Sequence, residues 1–156
     1  MNRFQRRRLT KKKPIINQEY NKKLQLAENK YLKGKLEEAI EDCQDASAVS
    51  PLEAKPFHLL ALIYFQQGDF KNAGDNILEA ITRNDTDTII HSDCAAIMNI
   101  LGRFQEAEAA SRHAIILKPK NCDAYCNLAV SLQMQNRTKE AKDVFVKTLN
   151  KYPNNE

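Results

Sequence analysis

The 156-residue sequence has no tryptophan, only four glycines and five prolines, and four scattered cysteines. So few chain-breaking residues argue against a β-rich or disordered chain and lean toward helix. Four cysteines without a framework spacing do not make a disulfide scaffold, so a reducing compartment is expected and the localisation expected is cytoplasmic. No stretch approaches the roughly 20 consecutive apolar residues that span a bilayer, so no transmembrane segment is expected. The cationic start from Met1 to Arg8 is followed by no apolar core, unlike a secretion signal. A glycine-rich phosphate loop is also missing.

Charge of one sign is concentrated at one end. Residues 1–13 carry Arg3, Arg6, Arg7, Arg8, Lys11, Lys12 and Lys13 and no acid, a local charge of +7. The remainder therefore holds 24 − 7 = 17 basic and 20 acidic residues, a net of −3. Residues 1–19 are thus expected to form a flexible basic arm, and residues 20–156 a mildly acidic folded body.

What is present is self-similarity. Ala39, Ala73, Ala107 and Ala141 fall 34 residues apart, and Ala27, Ala61, Ala95 and Ala129 keep that spacing. A third series runs Ala46, Ala80, Ala114 and Thr148. Chain-reversing residues hold the same register at Gly34, Gly68, Gly102 and Asn136, as do the closing residues Pro51, Asp85, Pro119 and Pro153.

Each unit reads as two amphipathic helices. In the second unit Phe57, Leu60, Ala61 and Tyr64 recur at helical spacing, a break follows at Gln67-Gly68-Asp69, and Phe70, Ala73, Ile77, Ala80 and Ile81 make another stripe. Glycine or asparagine at the break tolerates the left-handed backbone that ends a helix. Proline near the end of a unit stops the second helix. Alanines on facing surfaces let helices approach closely. The spacing predicts helices over 20–33 and 36–49, 54–67 and 70–83, 88–101 and 104–117, and 122–135 and 138–151. The units are 20–53, 54–87, 88–121 and 122–155. Pro56 falls in a first turn, where it is tolerated, and Gly74 inside a helix weakens it by about 1 kcal/mol relative to alanine.

These residues resemble the tetratricopeptide repeat family, whose 34-residue helix–turn–helix unit carries a W-x2-L-G-x2-Y…A-x3-F…P pattern. The likeness covers residues 20–153. It is strongest in the second unit (Phe57, Leu60, Ala61, Tyr64, Gly68, Phe70, Ala73, Ala80) and continues in the fourth (Tyr125, Leu128, Ala129, Ala141, Phe145, Pro153). It departs at Lys23, Lys30 and His91, where aromatics are usual. The resemblance implies an all-α fold, a right-handed α-solenoid of four antiparallel helix pairs.

It also implies that the first helix of each pair lines a concave groove holding a partner protein or peptide. By register the principal groove positions are His58, Leu59, Leu62 and Phe65, then Ile89, Asp93, Ala96 and Ile100, then Asn127, Val130 and Met134. Their apolar members suit an amphipathic helix or an apolar extended segment. The competing reading of each apolar position is packing between neighbouring helices. The carboxylate clamp of chaperone-binding relatives is not matched, because Asp93 and Asp123 occupy positions that would repel a carboxylate. The asparagine ladder of relatives similar to O-GlcNAc transferase is not matched either, since its positions hold Gln25, Leu59, Asp93 and Asn127.

Nothing points to catalysis, a cofactor or a metal. Cys122 and Cys126 share a helical face, but a zinc site needs two further ligands, and small-residue packing is the expected role. Cys43 and Cys94 fall at core positions. His58, His91 and His113 lie apart from any nucleophile. The arm, with Arg6, Arg7, Arg8, Lys11, Lys12 and Lys13, reads as a solvated tail, a targeting segment or an anionic tether. Groove-based nucleic-acid binding is not expected from an acidic body. The last helix is expected to expose parts of Val144, Phe145, Leu149 and Tyr152, and so to continue into further chain or to associate end-on with another copy. The first functional expectation is an interaction scaffold. The second is the targeting region of a larger enzyme, such as a glycosyltransferase, and the weakest is a nucleic-acid-associated protein acting through the arm.

Overall fold

A computed structural model describes the backbone of residues 3–151 and the side chains of residues 17–148. Among the described residues there are eight helices and no strand. They are α1 (Arg3–Leu32), α2 (Leu36–Val49), α3 (Lys55–Gln66), α4 (Phe70–Arg83), α5 (Thr88–Ile100), α6 (Phe104–Leu117), α7 (Cys122–Met134) and α8 (Thr138–Lys151). This is the expected all-α helical-repeat solenoid.

One backbone device, used four times, makes the helix pairs. The break residue of each unit has positive φ, from 60° at Asn136 to 78° at Gly68. The next N–H then reaches back five residues: Lys35 to the Lys30 carbonyl, Asp69 to Tyr64, Arg103 to Met98 and Arg137 to Leu132, each at 2.9 Å. This closing bond satisfies a carbonyl that the helix end would leave orphaned. The following helix starts at once, in α4 with Asp69 accepting from the Asn72 N–H at 3.1 Å. Asp87 and Asn121 cap α5 and α7 in the same way. Pro51 and Pro119 stand just beyond the ends of α2 and α6, and Pro56 is the second residue of α3.

The register alanines hold the pairs together. All three series are buried wherever they are alanine. Burial is shared between neighbouring units. One cluster joins Leu24 and Cys43 to Leu60 and Ile63, another joins Ala73 and Ile77 to Ile90 and Met98, and a third gathers Leu128, Leu132 and Ala141. Stability in such a chain comes from nearest-neighbour contacts. A polar latch adds to them near the last turn, where Glu108 of α6 binds Arg137 at 2.6 Å and Gln135 at 3.0 Å.

Two sequence expectations change. The first helix begins at Arg3 instead of near residue 20. Arginine, lysine, glutamine and leucine lose little freedom in a helix, so residues 3–19 can extend it without an apolar stripe. Gly74 does more than weaken α4. A Cβ added there would lie 2.8 Å from Leu101 Cδ1 and 3.8 Å from Met98 Cε, so its absence lets α4 and α5 approach closely.

Candidate functional site

Two neighbouring pairs of first helices lie against each other, α1 with α3 and α5 with α7, whereas α3 with α5, like every pair of second helices, makes no more than marginal backbone contact. Helices that close up on one side and splay on the other curve the stack. The first helices are the ones on the closed-up side, the inner wall, and the residues expected to line a groove belong to these helices.

The wall divides the expected positions into three groups. Ile89, Ile100, Val130 and Met134 are exposed, at 63%, 50%, 43% and 55%. Leu62 and Ala96 are half-buried beside them. Leu59 does not belong to the open surface. It is 8% exposed and packs in the cluster of Leu24, Cys43 and Ile63, because the neighbouring unit covers that side of α3. Phe65 is also partly internal, since its ring meets Phe70 edge-on at 5.6 Å and packs against the core of the second and third units.

Polar side chains tie the wall across unit boundaries. His58 Nε2 of α3 lies 2.6 Å from Asp93 Oδ2 of α5. Asn127 Nδ2 donates to the Ser92 carbonyl at 3.1 Å, Asn99 Nδ2 donates to the Asn127 carbonyl at 3.0 Å, and Asn121 Nδ2 donates to Ser92 Oγ at 2.7 Å. Asn127 is thus engaged in holding α5 to α7. Ser92 and Asn99 fall on the groove side of their helix by register, but their ties, and that of Asn121, depend on how the next unit docks. A recess of about 460 Å³ opens at the early end of the wall, bounded by Glu28, Lys55, His58, Leu62, Asp87 and Ile89. A larger one, about 740 Å³, lies between α6 and α8 over Tyr125 and Leu128, away from the inner wall.

Other sequence candidates sort cleanly. Cys43 and Cys94 are buried, and burial pushes each thiol up to about 12. Cys126 is exposed instead of packed, yet partial desolvation of its thiol, helped by Asp123 and Cys122, raises its pKa. His91 takes the place of an aromatic inside the core and stacks on His113 at 4.3 Å. Among the described residues, no three His, Cys, Asp or Glu side chains gather as metal ligands, and no helix is long and apolar enough to cross a membrane. The side chains of Arg6, Arg7, Arg8, Lys11, Lys12 and Lys13 lie outside the described residues, as do those of Leu149 and Tyr152. On α8, Val144 is half-buried, and Phe145 and Val146 are exposed.

Residues 54–87 and 111–143 each match a family model described as tetratricopeptide repeat. Solved structures share the fold. A crystal structure of MamA aligns at a TM-score of 0.80 with 21% identity, covering 86% of this chain and 78% of that one. The second repeat domain of human RPAP3, solved in complex with an HSP70 peptide, aligns at 0.70 with 19% identity, covering 74% and 97%. An O-GlcNAc transferase from Thermobaculum terrenum aligns at 0.67 with 19% identity over 75% of this chain but only 22% of its own.

Proposed function

The chain belongs to the tetratricopeptide repeat family, and from that premise we propose that it is a protein-interaction scaffold whose inner wall grips a partner polypeptide. The observation that carries this reading is the run of exposed Ile89, Ile100, Val130 and Met134 along successive first helices. Apolar side chains aligned on one concave surface suit a partner's own apolar stripe.

Magnitudes limit what these anchors do alone. A fully buried aliphatic side chain contributes about 1.5–3 kcal/mol, and these are already half covered, so each adds on the order of 1 kcal/mol. Association costs about 4–15 kcal/mol in lost freedom. Four anchors do not offset that, so polar and charged contacts must supply the rest. The carboxylates Glu28, Asp93 and Asp123, with Glu53 and Asp87 at the recess, outnumber the cations Lys55 and Arg83 there, which disfavours an acidic peptide.

The test is capture of partners by the intact chain and by an Ile100→Glu, Met134→Glu double variant. Both positions are exposed, so the melting temperature should stay within a few degrees of the parent while capture is lost. Capture that survives the double substitution overturns the reading. Membership in a larger enzyme is a second possibility, supported only by a likeness of fold to the transferase. None of the four ladder positions is a free asparagine: position 25 is a glutamine, Leu59 is buried, Asp93 holds His58, and Asn127 holds Ser92.

A further inference from the structure

Resting on that reading of the inner wall, we infer that one occupant of the groove is the basic N-terminal helix of a second copy of this chain, so that the protein self-assembles. The argument begins with lengths. At 1.5 Å per residue, the 30 residues of α1 make a rod of about 45 Å, whereas the 14 residues of α2 reach only about 21 Å. The two are joined by a tight turn, so α2 flanks only the half of α1 nearest that turn. Among the described side chains of α1, Tyr20, Leu24 and Ala27 are buried. The backbone from Arg3 to about residue 16 runs on past its helical neighbour.

That overhang does not suit an isolated helix. Arg3, Arg7 and Lys11 follow one another at four-residue spacing, as do Arg8 and Lys12, and like charges so placed repel. A helix this short is marginal in water even without repulsion. Carboxylates alongside would reverse the sign of the interaction. The chain's own first helices carry Glu28, Asp93 and Asp123, and Glu53 and Asp87 border the recess beside α1, where Lys55 and Arg83 offset part of the charge and His58 engages Asp93. The exposed Ile89, Ile100, Val130 and Met134 add apolar surface on α5 and α7.

Continuity decides between the chain's own groove and another's. Helix α1 carries its start away from the turn at Gly34. Pro14 removes one hydrogen bond and can bend the rod, but a kink does not double it back over the inner wall. The segment is therefore presented outward, to a second copy. Charge attraction across this contact weakens as salt shortens its range from about 14 Å at 0.05 M to about 4 Å at 0.5 M.

The experiment is sedimentation velocity of the full chain over a range of concentrations, at about 0.05 M and about 0.5 M salt. Self-association is expected at low salt and should weaken by about tenfold or more at high salt. Deletion of residues 1–16 should give a monomer. An Arg7→Glu, Lys11→Glu variant, whose first 13 residues fall from +7 to 7 − 4 = +3, should associate more weakly than the parent. A fluorescent peptide of residues 1–16 should bind the deletion variant and be released by salt. A full chain that stays monomeric at low salt overturns the inference. So does association that survives the deletion, which would place the contact elsewhere, such as on Phe145 and Val146 of α8. In each case the scaffold reading stands or falls separately, on whether Ile100→Glu with Met134→Glu abolishes capture of other polypeptides.

Discussion

His58 of α3 and Asp93 of α5 meet at 2.6 Å across the boundary between the second and third units. Both are only partly covered, so water competes with the bond, and its strength lies well below that of a buried ion pair. A double-mutant cycle with His58→Ala and Asp93→Ala should give a coupling of about 1 kcal/mol in denaturant unfolding. Additive effects would show that the pair does not join the units.

His91 predicts a pH dependence. Its Nε2 and that of His113 lie 2.8 Å and 3.1 Å from the Asp85 carbonyl, so both rings donate an N–H to it, and the buried Nδ1 of His91 has no hydrogen-bond partner. Burial and the neighbouring His113 hold the His91 pKa below its ordinary value, against the pull of Asp85 and Asp87. The folded state therefore keeps this ring neutral while the unfolded chain takes up a proton near pH 6.5. Stability from this group is complete above that pH and is lost as pH falls through it toward the lower folded value. The melting temperature should drop between about pH 7.5 and pH 5.5, and His91→Phe should flatten that slope. An unchanged slope in the variant contradicts the assignment.

Gly74 sets two effects against each other. Alanine in a helix interior gains about 1 kcal/mol over glycine, but its methyl group would meet Leu101 Cδ1 at 2.8 Å. Leu101 is half-buried and its tip can yield, so Gly74→Ala should change stability by less than about 0.5 kcal/mol in urea unfolding. Gly74→Val adds bulk that the tip cannot clear and should destabilise by about 1–3 kcal/mol. A full gain of about 1 kcal/mol from alanine would mean that α4 and α5 are not closely apposed here.

The repeat made most of the fold legible. A 34-residue register of Ala27, Ala39 and Ala46 fixes which sides of the helices meet, and Gly34 or its equivalents fix where the chain reverses. Seven of the eight helices start and end within a residue of the expected bounds. The start of α1 was not legible, because residues 3–19 show no apolar stripe and their run of cations reads as a solvated arm. The groove was legible only as a set of positions. Leu59 and Leu62 both fall on it by register, yet Leu59 is covered by the first unit and Leu62 is not. Phe65 looks like a free anchor until Phe70 closes on it across the turn. The ties among Ser92, Asn99, Asn121 and Asn127 are set by how one unit docks on the next, which no single unit encodes.

The most direct test of the inner wall places a photo-crosslinking residue at Val130 and, in a separate variant, at Ile116 of α6, which is exposed on the opposite side of the solenoid. Irradiation in the presence of a captured polypeptide should yield adducts from position 130 and few from position 116. Equal yields, or adducts from position 116 alone, would contradict the account.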